Sequence, residues 1–214
     1  MNYRIKASDV AAIVGLNPYK TREDVMNEYF KLPTKRDNEF QEALAQETPE
    51  VQRTIQETLK QSKKSDISET PQVSSSHVIQ EYVKHEVYKN NGTHRESHVA
   101  ETHGVTRDSK WYSLKISEDV RLVGIIDGRR GDSIVEIKNR QRRLFGKVPT
   151  YEYVQCQVYM KLTGVHKCIL IESFEGASKE YPLEFSDAFW ELEILPSLRQ
   201  FAQELIEVPP LDDE

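Results

Sequence analysis

The stretch 122–140, LVGIIDGRRGDSIVEIKNR, sets two apolar, β-branched runs back to back, and each ends in charge: the first in Asp127, the second in Glu136 and Lys138. Short runs of this kind bounded by turn residues read as strands, and GRRGD between them reads as a tight hairpin connection. Side chains alternate between the two faces of a strand, so Glu136 and Lys138 share a face. With Val123–Asp127 paired beside Ile134–Lys138, Asp127 joins them at the strand ends. Two carboxylates brought together in a partly apolar setting repel unless a cation neutralises them. A hard divalent ion such as Mg2+ does this through carboxylate oxygens, and a lysine beside it orients or helps deprotonate water, or stabilises charge on a phosphate. The arrangement therefore suits metal-assisted hydrolysis of a phosphodiester. The plainer alternative is a pair of exposed strand ends carrying a surface ion pair, and Asp followed by Glu-x-Lys is a weak signal by itself.

Composition limits the partners. The chain has 214 residues, 30% of them charged, and a formal net charge of −6, so any contact with nucleic acid must come from local positive charge. That charge follows the second run directly: Arg129 and Arg130, then KNRQRRLFGK (138–147) with Arg140, Arg142, Arg143 and Lys147. The run suits sequence-tolerant grip on a phosphate backbone, with a solvated loop as the alternative. Only Cys156 and Cys168 are present, in no metal-ligand spacing. A reducing, intracellular setting is expected, without secretion or membrane insertion. His94 and His98 lie one helical turn apart, but without a third soft ligand they read as an exposed helix face rather than a zinc site.

Outward from the opening stretch, Ser8 is expected to cap a short helix running to Val14, with Gly15 as its left-handed stop. Thr21 and Asp24 form a capping-box start for the next helix, REDVMNEYFKL. Residues 33–76 turn polar and read as an insertion, partly helical and ending in a flexible linker. Helical spacing returns from His77 to a stop at Gly104, and then the period switches to strand in WYSLKIS (111–117). TYEYVQCQVYMKLTG (150–164) is a helix closing on Gly164, KCILIESF (167–174) a buried strand and SKEYPLEF (178–185) an edge strand. A terminal helix is capped by Ser186, with Pro196 as a source of a kink. The order predicts an α/β class, an α+β mixed sheet flanked by helices, in a single domain spanning 1–214. Tyr151, Gln155 and Tyr159 share one helix face.

Several of these segments also carry a family pattern. KASDVAAIVGLNPYK (6–20), NGTHRESHVAETHGV (91–105) with Gly92, Glu96 and Ala100, IIDG with IVEIK, and the Gln-x-Gln helix with Gln155 and Gln157 occur in a fixed order. In this the chain resembles the PD-(D/E)xK nuclease superfamily, and within it the YqaJ-like viral recombinase, or lambda exonuclease-like, group. The resemblance runs from Lys6 to about Phe174, with residues 33–76 outside it, and implies a restriction-endonuclease-like core. It implies Glu96, Asp127 and Glu136, with the Ile137 carbonyl, as ligands to Mg2+ or Mn2+, and Lys138 as the catalytic lysine. It further implies Gln155 near a DNA phosphate and Ser8 in a pocket for a 5′-terminal phosphate; Gln157 and Tyr159 of the same helix, and Arg140, Arg142 and Arg143 of the basic run, are expected on the DNA side. Where the group carries Ser-Pro before Asp-Gly, this chain has Ile125 and Ile126, and a phosphate-contacting hydroxyl is lost.

The activity implied is a Mg2+-dependent deoxyribonuclease, a 5′-to-3′ exonuclease acting on duplex DNA ends in recombination or repair. The implied partners are DNA, a homo-oligomeric ring and a single-strand annealing recombinase. Two alternatives stay open: a structure-specific or single-strand endonuclease of the same superfamily, and a catalytically silent DNA-binding subunit.

Overall fold

A computed structural model describes residues 3–64 and 75–207. Its strands are β1 (Tyr3–Lys6), β2 (Thr106–Arg107), β3 (Tyr112–Lys115), β4 (Val120–Gly124), β5 (Gly128–Arg130), β6 (Ser133–Asn139), β7 (Lys167–Phe174) and β8 (Ala177–Glu184). Its α-helices are α1 (Val10–Ile13), α2 (Arg22–Tyr29), α3 (Lys35–Ala45), α4 (Pro49–Ser62), α5 (His77–Thr102), α6 (Thr150–Thr163), α7 (Asp187–Phe189) and α8 (Leu195–Glu207). The SIVEIKN run is β6, the middle of a five-stranded sheet in the order β2-β5-β6-β7-β8, parallel to β7 and antiparallel to β5.

The strand run ending in Gly124 does not pair with β6, which corrects the expected pairing. It is the centre of a separate three-stranded sheet in the order β1-β4-β3. The short YRIK segment, unmarked by any long apolar run, supplies its parallel neighbour, with Ile5 opposite Leu122. The chain leaves this sheet at Gly124, crosses through Ile125 and Ile126, and enters the larger sheet as β5. GRRGD is therefore a strand followed by a turn, in which Gly131 takes a positive φ of 59°. Ile126 is buried and Ile125 is partly exposed, so the crossing is anchored by one of the two isoleucines.

Two glycines permit this crossing. A Cβ on Gly124 would lie 2.8 Å from the Tyr159 ring, so β4 approaches α6 only because that position is bare. A Cβ on Gly128 would lie 2.5 Å from the Thr106 carbonyl oxygen, so the backbones of β2 and β5 meet there.

Alternation on β6 sorts its neighbours. Ile134 belongs to the main core with Cys156, Val158, Cys168, Leu170, Trp190 and Phe201, under α1, α6 and α8. Val135 and Ile137 face the other way, packing with Val99, Ala100, Val105 and Ile171 beneath α5. A third cluster of Phe40, Leu44, Ile55, Ile79, Val83 and Val87 joins α3 and α4 to the first half of α5, so the polar segment after Pro33 forms two helices with an apolar seam. Residues 65–74, which hold most of the expected linker, lie outside the described residues.

Expected helix ends at Gly15, Gly104 and Gly164 all take positive φ, and the Thr21–Asp24 capping box is formed. Ser186 accepts from the Phe189 amide as a cap. Ser8 is not a cap: it sits exposed within a 3-10 turn, Ala7–Asp9, that leads directly into α1. The helix runs without a break from Asp187 to Glu207 through a π-helical segment at Trp190–Ile194, where the Leu195 amide donates back to the Trp190 carbonyl; the wider turn lies directly before Pro196, where a helix must adjust to the missing N–H.

Candidate active site

β6 leaves the ladder with β5 at Val135, which pairs with Gly128. Beyond that point no strand covers its β5-side edge among the described residues. A strand residue directs its N–H and C=O to the same side. The Ile137 amide finds its acceptor in the Asp127 carboxylate, 2.7 Å to Oδ2, and the Ile137 carbonyl faces the same open edge. Asp127 is therefore placed by the crossing segment, at the mouth between the two sheets.

Glu136 and Lys138 share the face turned to α6. Glu136 is 3% exposed, its Oε1 lies 2.7 Å from the Lys138 ammonium, and its Oε2 is buried without a hydrogen-bond partner. A buried carboxylate oxygen left unmatched is costly. Burial, with the Asp127 carboxylate beside it, pushes the Glu136 pKa up to about 8. Burial also raises Asp127, partly offset by the Ile137 amide and the Lys138 charge. Glu96 approaches from α5; burial and Asp127 push it up to about 7, while Arg107 sits 3.6 Å away.

Burial alone would lower the Lys138 pKa, but the Glu136 and Glu152 carboxylates more than offset this and hold it raised, so the lysine is a cation at neutral pH. It donates to Gln155 Oε1 at 3.0 Å, and Gln155 in turn donates to the Tyr159 hydroxyl at 3.1 Å. Of the predicted face, Gln155 therefore meets β6, Tyr159 backs it from beside Gly124 of β4, and the Tyr151 ring meets that of Tyr19.

Among the described residues no three His, Cys, Asp or Glu side chains are drawn together tightly enough to hold an ion as they stand. Asp127 Oδ2 is taken by the Ile137 amide and Glu136 Oε1 by Lys138. The donor set nevertheless fits a hard divalent cation: two neighbouring carboxyls whose pKa values burial raises, one orphaned carboxylate oxygen, and a carbonyl on an open edge.

Other expected contacts are corrected. Arg140 is buried, and its guanidinium donates to both oxygens of Glu152, 2.5 and 2.8 Å, and to Glu172 at 3.0 Å. Glu172 also accepts from the Phe145 and Gly146 amides and from the Tyr181 hydroxyl. Arg140 is thus an internal clamp on the 140–146 loop, not a phosphate contact. Gln157 is fully buried; it donates to the Glu184 carbonyl and accepts from the Ser186 amide, tying α6 to the chain after β8. The Tyr159 ring is buried and reaches the site through Gln155. Arg129 is paired with Asp108, and Arg130 with Glu180, so neither is a free cation.

Arg142 and Arg143 are exposed on the loop after β6, as are Lys147 and Phe145. Ser8 is exposed on the rim of a cleft of about 580 Å3, whose lining holds Lys6, Lys20 and Arg36 together with the carboxylates of Asp9, Asp24, Glu28, Asp37 and Glu86. His98 is exposed, while the His94 side chain lies outside the described residues. Glu152 and Glu172 were missed; the available signal was a glutamate inside the apolar KCILIESF run, which demands a buried cation. Among the described residues no helix is long and apolar enough to cross a membrane.

Residues 2–166 match the model of the YqaJ-like viral recombinase domain. No curated protein matches the chain. An alkaline exonuclease, LHK-Exo from Laribacter hongkongensis, has a similar fold: TM-score 0.55, 17% identity, covering 95% of this chain and 90% of that one. The same enzyme in complex with dAMP gives TM-score 0.56 at 18% identity, covering 94% of this chain and 87% of that one.

Proposed function

Because the chain belongs to the YqaJ-like viral recombinase domain family, we propose that it is a metal-dependent deoxyribonuclease, working as a 5′-to-3′ exonuclease on duplex DNA ends in recombination or repair. The observation that carries this is the buried Glu136, with an unmatched Oε2, set between Asp127 and the Lys138 ammonium at the open end of β6. The exonuclease activity named for the enzyme of similar fold supports the same reading.

Mg2+ or Mn2+ would be held by Asp127 and Glu136, with the Ile137 carbonyl and Glu96 completing the set. When bound, such an ion supplies Lewis acidity toward a phosphoryl oxygen and lowers the pKa of water. The chain's own residues do the rest. Lys138 places a fixed positive charge where the phosphodiester gains negative charge during attack, and Gln155 and Glu136 hold that ammonium in position. The Tyr159 hydroxyl fixes the orientation of the Gln155 amide. Arg142 and Arg143 contact the backbone of the duplex, and Ser8 faces the terminal phosphate. Assembly as a ring around DNA and transfer of the exposed strand to a single-strand annealing recombinase belong to the same proposal, supported by family membership.

The test is the release of nucleotides from linear duplex DNA labelled at either 5′ or 3′ ends, with covalently closed circles alongside, in Mg2+ and in Mn2+. Early release of the 5′ label with circles intact is expected. Equal cutting of circles overturns the exonuclease form, and no cutting in either metal overturns the nuclease reading.

A further inference from the structure

The loop after α1 carries an exposed aromatic residue that the chemistry above does not use. Tyr19 is 75% exposed, and its ring meets the Tyr151 ring edge-on with centroids 5.7 Å apart. Its backbone is held on both sides. The Tyr19 amide donates to the Asn17 side chain at 2.9 Å, and the next residue, Lys20, is paired with the buried Asp9 at 2.9 Å and with Glu28 at 2.7 Å. Upstream, the Gly15 and Leu16 amides donate to α1 carbonyls, closing the helix at a positive-φ glycine. A large side chain presented to solvent on so anchored a loop gains little for the fold, because most of its surface stays wet.

The location gives it a use. Tyr151 lies one helical turn before Gln155, the residue that accepts from Lys138. Asn17 lines two cavities at once: the cleft of about 580 Å3 that includes Ser8, and a second of about 510 Å3 formed by Gly15–Pro18 against Lys147–Tyr151. The 15–19 loop is the wall between them, with Tyr19 on the first cavity and Tyr151 and Lys147 on the second. Aromatic faces beside cations are the elements with which proteins hold single-stranded nucleic acid, the ring stacking on a base and the cation meeting the backbone.

We propose that Tyr19, braced by Tyr151, is a stacking post for an unpaired base at the end of the DNA strand being processed, with the exposed Lys147 beside its path. The ligand is a short single-stranded segment, read without base preference because every base presents a π-face. This rests on the nuclease reading for its biological sense, although not for its test. A ring held in advance stacks on a base without the entropy loss of ordering a mobile side chain. Recognition then favours ends with unpaired nucleotides over flush ends.

The test is binding of 5′-phosphorylated oligodeoxynucleotides carrying 2-aminopurine at successive positions from the 5′ end, in EDTA so that nothing is cut. Wild type is expected to quench the fluorescence at one position, Tyr19→Phe to retain the quenching, and Tyr19→Ala to lose it and bind roughly 5- to 100-fold more weakly. The thermal midpoint of Tyr19→Ala should stay near wild type, which separates a lost contact from a lost fold. Failure of wild type to bind, or equal quenching by Tyr19→Ala, overturns the proposal. Tyr19-dependent quenching without hydrolysis in Mg2+ or Mn2+ would sink the nuclease reading while leaving the stacking post intact.

Discussion

Replacing Arg140 with Ala separates an internal clamp from a DNA contact. The three side chains of the cluster, Arg140, Glu152 and Glu172, are 6%, 3% and 0% exposed. Glu172 keeps the Phe145 and Gly146 amides and the Tyr181 hydroxyl after the change. Glu152 loses the fork that holds both of its oxygens. One buried carboxylate loses its hydrogen-bonded cation, and breaking a buried pair from one side costs about 3–5 kcal/mol. At roughly 2–4 °C per kcal/mol for a chain of this size, the thermal midpoint should fall by about 6–20 °C. The assay is thermal unfolding followed by circular dichroism, together with DNA binding in EDTA across a salt series. Arg140→Lys should rescue little, because an ammonium cannot fork to two carboxylates. Removing both charges with Arg140→Met and Glu152→Leu should recover most of the loss. A midpoint within about 2 °C of wild type, with the salt slope of binding reduced by about one contact, would refute the clamp and restore Arg140 to the DNA surface.

Other outcomes follow from the same geometry. Arg142→Ala and Arg143→Ala should each weaken duplex binding and shallow the salt slope by about 0.9 per lost phosphate contact, with stability within about 0.5 kcal/mol of wild type; an unchanged slope would remove them from the interface. Gly128→Ala should cost about 1–3 kcal/mol in urea unfolding, because the new Cβ meets the Thr106 carbonyl oxygen, and a neutral result would mean that β2 moves freely. Arg130 hydrogen bonds hold the Glu180 pKa down to about 2, against about 4.3 for a free glutamate. The folded-state pKa is depressed, so the contribution is complete above about pH 4.3 and disappears as pH falls toward 2. For a pair this exposed it amounts to less than about 1 kcal/mol. The stability gap between wild type and Glu180→Gln should therefore close between those two pH values, and a gap that widens would reverse the assignment.

Much of this was legible in the residues because the signals were local. β6 and β7 match apolar β-branched runs with turn residues at their ends, and Gly15, Gly104 and Gly164 stop helices by a conformation that other residues avoid. Alternation alone places Glu136 beside Lys138. What was not legible depends on long-range pairing. β1 alternates apolar and charged residues over only four positions, too few to mark a strand, and it becomes one because β4 offers it a free edge. The expected hairpin is present but shorter than the sequence suggested: β5 turns back into β6 and brings Asp127 beside Ile137, while the apolar run up to Gly124 belongs to the other sheet. Arg140 stands in a basic run whose other arginines face solvent, and only the three-dimensional approach of Glu152 and Glu172 turns it inward. Gln157 differs from Gln155 by half a turn of α6, enough to move it from the site to a structural link with the segment after β8.

The central claim is that Lys138 and the adjoining carboxylates form a hydrolytic centre for DNA. The rate of nucleotide release from linear duplex DNA in Mg2+ by wild type and by folded Lys138→Ala tests it most directly. Removing a fixed charge of this kind typically costs about 100- to 1,000-fold in rate. A loss of that size, with the thermal midpoint and DNA affinity in EDTA retained, is the expected result. Hydrolysis by Lys138→Ala at the wild-type rate, or none by wild type, would contradict it.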